Sequence, residues 1–263
     1  MPNTDHRHDL QENLQENIHD LQQELLQMQE ELNKRLEELR AGKFSFRRYT
    51  REHPYILLFL YLPVYLVWFF FQEYHLASTA GCFVSYLPLD DQIPFLPGFI
   101  FPYITWYVYL LIPAIIFLVK EDGPAFTRYA LFIILGFSGS LLFCTLFPNC
   151  QLLRVDLANP QNISEFLVAA IYGADTPTNV LPSMHVVGCI GVIAAAFDGE
   201  HFRRGRWFLV LWGIAISVST VFVKQHSILD LLAGVGYGFV LYMLLYVLLR
   251  KPLNRIGKKH IHS

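Results

Sequence analysis

Residues 54–71 read PYILLFLYLPVYLVWFFF, eighteen positions without a charge. A run of this length and composition predicts a helix that crosses a bilayer, because lipid offers no partners for a charge or an open backbone group. Five further apolar runs are candidates, at 100–119, 129–147, 182–199, 207–223 and 227–249. The fourth and fifth are the shortest and contain polar residues, so they read as helices of a bundle interior. The expected fold class is an all-α integral membrane protein, a bundle of six transmembrane helices.

Composition agrees. Of 263 residues, 54% are hydrophobic and 16% charged, against about 25% charged in an average soluble domain. Most of the charge lies in 1–53 and 250–263. The net charge of −2 gives no sign of a nucleic-acid partner. Three regions follow: a polar segment 1–42, a membrane domain 43–250 and a basic tail 251–263. No apolar stretch near the start resembles a secretory signal peptide, so the first span is expected to direct targeting.

Within 8–40, Leu14, Ile18, Leu21, Leu25, Met28, Leu32 and Leu39 recur in alternating steps of four and three, with Arg35 interrupting the seam. That is a heptad pattern. Two readings are open: a short coiled coil that makes a homodimer, and a lone amphipathic helix on a surface. Gly42 is expected to end the helix.

Basic residues mark the membrane side. Lys43, Arg47, Arg48 and Arg51 precede the first span, Lys120 and Arg128 separate the second from the third, and Arg203, Arg204 and Arg206 the fourth from the fifth. Arg250, Lys251, Arg255, Lys258 and Lys259 follow the last. The alternate loops are nearly free of base: 72–99 has none and 148–181 only Arg154. The positive-inside rule then puts both termini in the cytoplasm. The loop at 72–99, with Pro88, Pro94, Pro97 and Asp90–Asp91, is expected to be irregular. Ile163, Phe166, Leu167, Ala170 and Ile171 mark the apolar side of a short amphipathic helix over 161–172, and Asn162-Ile163-Ser164 fits an N-glycosylation triplet. Cys82, Cys144, Cys150 and Cys189 form no CxxC pair, so no zinc site is implied. A Cys82–Cys150 disulfide on the outer side and four free thiols are both compatible with the spacing.

Chemistry-bearing residues gather at the outer ends of the spans. His226 and Asp230 are four apart, a spacing that puts them on one helix face, where Asp fixes the imidazole tautomer and leaves the other nitrogen as nucleophile or base. A structural His–Asp pair between two helices would look the same. Pro182 suits a helix first turn, which would set Ser183 and His185 beside free backbone N–H groups, an anion site with His185 as proton donor. Arg154 and Lys224 add positive charge on that side. Together these are an inventory for phosphoryl transfer without a metal or other cofactor.

These residues resemble the type 2 phosphatidic acid phosphatase superfamily, which includes lipid phosphate phosphatases and inositol phosphorylceramide synthase-like enzymes. The family pattern is K-x6-R-P, P-S-G-H and S-R-x5-H-x3-D. Arg154 matches the first part, with Phe147 and Val155 in the Lys and Pro positions. Pro182-Ser183-Met184-His185 matches the second with Met for Gly, and Ser219, His226 and Asp230 match the third with Thr220 in the Arg position. The strings TNVLPSMH at 178–185 and KQHSILD at 224–230 are similar to a bacterial branch near the synthase-like members. The resemblance implies a six-helix core in a bacterial plasma membrane and a lipid phosphate substrate at an extracytoplasmic site. His226 would be the phosphohistidine nucleophile, Asp230 its orienter and His185 the acid–base. Arg154, Lys224, Ser183 and Ser219 would bind phosphate. Hydrolysis and transfer of the phospho-headgroup to another lipid use the same residues, and a non-catalytic scaffold is the third reading.

Overall fold

The computed structural model describes residues 5–40, 49–50, 53–76 and 78–256. Gly42, the basic cluster at Lys43, Arg47, Arg48 and Arg51, and Lys258 and Lys259 in the tail lie outside them. The chain forms two compact units, Met1–His53 and Pro54–Ser263. The first carries helix α1 (Asp5–Arg40), 36 residues long and free of Gly and Pro. Its seam residues Ile18, Leu21, Leu25, Met28 and Leu32 are exposed.

The second unit is helical. Among the described residues four helices are long and apolar enough to cross a membrane: α2 (Pro54–His75), α3 (Pro97–Val119), α4 (Gly123–Leu146) and α8 (Ile228–Leu248). By length and composition this is a multi-pass membrane protein. The runs at 182–199 and 207–223 become shorter apolar helices, α6 (Met184–Ala196) and α7 (Arg206–Phe222). At 1.5 Å per residue they span about 20 and 25 Å, less than the ~30 Å hydrocarbon core. A seventh helix of this unit, α5 (Ile163–Ala174), precedes α6, and α9 (Arg250–Ile256) closes the described chain.

Helix α6 is the centre, packed by α3, α4, α7 and α8. It is apolar on all sides and mostly buried, as a helix enclosed by other helices must be. Small residues allow the close approach: a Cβ on Gly188 would sit 3.0 Å from Trp106 Nε1, and one on Gly191 2.8 Å from Phe132 Cδ1. Helix α8 meets α6 the same way, since a Cβ on Gly234 would lie 3.0 Å from the Ser183 carbonyl. That contact brings together the N-terminal ends of α6 and α8, where the candidate site lies.

Two short strands, β1 (Phe83–Val84) and β2 (Asn149–Cys150), pair in parallel at this end. Cys150 also bridges Thr178 and is disulfide-bonded to Cys82, with the Cα atoms 5.9 Å apart. Cys144 and Cys189 are free and buried. The loops 78–96, 147–162 and 175–183 are thus knitted together rather than lying separately. In α5, Val168 is fully buried and Leu167 and Ile171 pack beside it, whereas Ile163 and Phe166 are exposed. The apolar side therefore faces two ways. Asn162 caps this helix, accepting from Glu165 N at 3.0 Å.

At the opposite end of the bundle, Arg128 Nε donates to Asp198 at 2.6 Å with both side chains buried, and Arg250 reaches the same carboxylate at 3.2 Å. Arg128 also bonds Asn254, which ties α9 to α4.

Candidate active site

His226 lies two residues before α8, so the shared helix face predicted from the four-residue spacing is not what joins it to Asp230. Ser227 is the N-cap and Asp230 the third helical position, in a capping box: Ser227 Oγ accepts from Asp230 N at 3.2 Å, and Ser227 N donates to Asp230 Oδ2 at 2.9 Å. The box turns the chain so that His226 Nδ1 stands 3.3 Å from the same Oδ2. His226 Nε2 is 3.4 Å from His185 Nδ1. An Asp230–His226–His185 chain results, with both separations at the long end for a hydrogen bond, as is common before substrate draws a site together.

Asp230 is fully buried, and a buried carboxylate needs its oxygens satisfied. Its other oxygen, Oδ1, accepts from Ser85 Oγ at 2.5 Å, and Ser85 Oγ also contacts Ser227 Oγ at 2.8 Å. Ser85 N in turn donates to the carbonyl of Cys150, the disulfide partner of Cys82. Asp90 adds a second tie, accepting from Ile228 N at 2.8 Å. Neither Ser85 nor Asp90 stands near a recognisable motif, and their part is invisible until the loop is folded.

His185 is the second residue of α6. Pro182 precedes the helix and Ser183 is its N-cap, in extended conformation, so the helix starts later than Pro182 predicts. Tyr103 and Trp106 rings pack on the His185 imidazole, with centroids 4.7 and 4.4 Å away. The Ser183 hydroxyl makes no cap bond and is buried without a partner. The N-cap side chain satisfies none of the first backbone N–H groups of α6.

The two cations are placed otherwise than the motif suggests. Arg154 donates to the carbonyls of Tyr172, Asp175 and Thr176 at 2.8–3.2 Å and to Gln225 Oε1 at 2.6 Å, and lies over the Tyr172 ring. Burial lowers its pKa, and only its Nε is buried without a partner. Lys224 Nζ donates to the carbonyls of Asp90 and Ile93 at 3.0 and 2.7 Å. Both charges hold loop backbone. Ser219 Oγ donates to the Ile216 carbonyl of its own helix at 2.6 Å. Gln225, by contrast, has its Oε1 held by Arg154 and its Nε2 buried beside the Tyr103 hydroxyl, without a well-formed bond. Its place between Lys224 and His226 is the signal that could have singled it out.

A cavity of about 620 Å³ opens at His185 and His226. Its walls come from α2, α3 and α4, and are mostly aromatic and aliphatic. Phe59 and Glu73 both line it, roughly 20 Å apart along α2. A slot of that length and polarity suits a hydrocarbon chain. The lining includes no Lys or Arg, but it does include Glu73 and Asp175. Glu73 accepts from Thr176 N, Thr176 Oγ and Asn179 Nδ2. Burial, with Glu73 nearby, raises the Asp175 carboxyl to about 6, against the pull of Arg154 and His226. Among the described residues no group of three or more His, Cys, Asp or Glu is placed to hold a metal ion. No family model, curated protein or solved structure matches this chain.

Two outcomes are expected. Ser85→Ala removes one acceptor bond of Asp230, worth on the order of 1–2 kcal/mol. In a catalytic reading of the site, it should lower kcat about ten-fold with little change in KM, and Ser85→Thr should restore most of the loss; equal loss in both variants would mark Ser85 as a packing residue. Asp175 is destabilising when ionised, because its folded pKa is raised; the native state therefore loses stability as pH rises from about 4 through 6. Asp175→Asn should melt higher than the parent at pH 7.5, by up to ~3 kcal/mol, and the gap should close at pH 4. A gap that persists at pH 4 contradicts this.

Proposed function

We propose that this protein cleaves a phosphate ester of a membrane lipid at the extracytoplasmic face, through a phosphohistidine on His226 and without a metal ion. The observation that carries the reading is the Asp230–His226–His185 chain at the polar end of an apolar slot. His226 Nε2 attacks phosphorus, taking the place of its contact with His185, while Asp230 holds Nδ1–H and stabilises the imidazolium. The P–O ester bond breaks and His185 gives a proton to the leaving alkoxide. Water then attacks the phosphohistidine, the N–P bond breaks and His185 takes the proton. Ser183 Oγ, Gln225 Nε2 and the first N–H groups of α6 are the donors for the phosphate oxygens.

In this reading α2, α3, α4, α6, α7 and α8 are six spans; α6 is enclosed by the others, whereas α7, expected from the sequence to be interior, exposes Trp207, Phe208, Leu211 and Ile214 on its outer face. Lys120, Arg128 and Arg203 at the far end, against Arg154 and Lys224 near the site, support cytoplasmic termini. The disulfide supports an oxidising outer compartment. The resemblance supports a bacterial plasma membrane.

Hydrolysis of a lipid phosphate is the first form of this chemistry. Transfer of the phospho-headgroup to an acceptor alcohol is the second, and one observation favours it: Arg154 and Lys224 are engaged by carbonyls, so the slot offers a phosphodiester monoanion a better match than a monoester dianion. The exposed seam of α1 supports a homodimer through a two-stranded coiled coil.

Detergent-purified protein in EDTA should release phosphate or phospho-headgroup from a lipid panel, and His226→Ala should lose at least a thousand-fold in rate, ~4 kcal/mol of barrier. Activity abolished by EDTA, or retained by His226→Ala, would sink the mechanism. Added diacylglycerol or ceramide that captures the headgroup would select the transferase. Leu25→Cys should cross-link α1 to α1 between copies under mild oxidation; exclusively monomeric protein contradicts the dimer.

A further inference from the structure

The Asp175 carboxylate is the feature the chemistry above leaves unused. It lines the slot, and among the described residues no hydrogen bond reaches it. Glu73, the other carboxylate there, is satisfied by three donors, so Asp175 is the one left with open acceptor capacity. It couples electrostatically to His226 and to the phenols of Tyr65, Tyr103 and Tyr107. Those three rings and Trp106 line the same slot. Arg154 donates to the Asp175 carbonyl at 2.8 Å and offsets part of the charge, but no Lys or Arg side chain lines the slot; a carboxylate beside aromatic rings there is a setting for a cation, which gains both the ion pair and the ring quadrupoles. A phosphomonoester dianion placed there would meet the negative charge of Asp175, only partly offset by Arg154.

We propose that the mouth of the slot binds the ammonium of a phosphodiester lipid headgroup, with Asp175 as the counter-ion and the Tyr103, Trp106 and Tyr107 rings around it. The proposal rests on the reading of His226 as the group that attacks phosphorus. The ligand is then a zwitterionic phospholipid: a phosphate with one negative charge beside the imidazoles, and a primary or quaternary ammonium a few ångströms away. Its apolar chains occupy the part of the slot between α2 and α4. The ammonium contact keeps the headgroup on the protein. The N–P bond to His226 forms as the P–O bond to the lipid alcohol breaks, and His185 protonates that alkoxide. Water or an acceptor alcohol then takes the phospho-headgroup, leaving its proton on His185.

The test uses full-length protein in mixed micelles with four lipids of identical chains: phosphatidylcholine, phosphatidylethanolamine, phosphatidylglycerol and phosphatidic acid, with diacylglycerol release read by mass spectrometry. The two ammonium lipids should exceed phosphatidylglycerol by ten-fold or more in kcat/KM. Asp175→Asn should shrink that ratio to within about two-fold, and a matched thermal scan shows that the variant is folded. A ratio near one in the parent, or one unchanged in Asp175→Asn, overturns the proposal. Turnover of phosphatidic acid alone, dependent on His226, leaves the phosphohistidine reading standing and removes the ammonium subsite. If no lipid is turned over, thermal protection by dihexanoyl phosphatidylcholine over dihexanoyl phosphatidylglycerol decides: protection lost in Asp175→Asn supports the subsite, and equal protection by the two lipids overturns it.

Discussion

The carboxylate of Asp230 joins the fold to the chemistry. It is fully buried and accepts from His226, the backbone of Ser227 and the hydroxyl of Ser85. Each donor comes with a structural duty. Ser227 begins α8, His226 stands at the end of the turn leaving α7, and Ser85 belongs to the loop held by the disulfide and β2. A buried charge with this many partners is costly to disturb, because removing one donor leaves the others organised around an unsatisfied oxygen. The same contacts that make α8 start at Ile228 also fix the imidazole that faces His185.

Once Asp230 is set, the roles of the cations follow. Three loops meet above the bundle and expose backbone carbonyls that strands alone do not satisfy. Arg154 collects the carbonyls of Tyr172, Asp175 and Thr176, and Lys224 those of Asp90 and Ile93. A guanidinium with four of its N–H groups so engaged has little left for a phosphate, and an ammonium aimed at two carbonyls is similarly committed. Arg154 still reaches the site at one remove, by holding the Gln225 amide so that Nε2 is its free end. Neutral donors, rather than salt links, are what the slot presents beside the imidazoles, and Glu73 and Asp175 are the carboxylates in its lining.

Much of this is legible in the sequence. The apolar runs place the helices to within a few residues, because exclusion of charge over about 20 positions has few other physical causes. The sequence positions of His185, His226 and Asp230 single out three side chains that the fold brings together. Ser227-x-x-Asp230 ahead of an apolar run is also a capping-box pattern, and it describes the turn better than the four-residue step between His226 and Asp230 does. The central place of α6 is foreshadowed by Gly188 and Gly191, which allow neighbours to crowd it. What the chain does not announce is long-range: Ser85 is 145 residues from Asp230, and Glu73 is about a hundred from the Thr176 and Asn179 it anchors. No local periodicity encodes such contacts. The commitment of Arg154 and Lys224 to carbonyls is hidden for the same reason, since a cation in an outer loop looks identical whether it faces a phosphate or a neighbouring turn.

The central claim is covalent chemistry at His226, and the most direct measurement is peptide mass spectrometry on the protein quenched during turnover. His185→Ala, which lacks the group that activates the second attack, should accumulate the intermediate from a lipid-like substrate with a good leaving group. The expected result is a phospho-adduct on the His226 peptide that is labile to acid and stable to alkali. Turnover with His226 unmodified, or an adduct on any other side chain, would contradict the account.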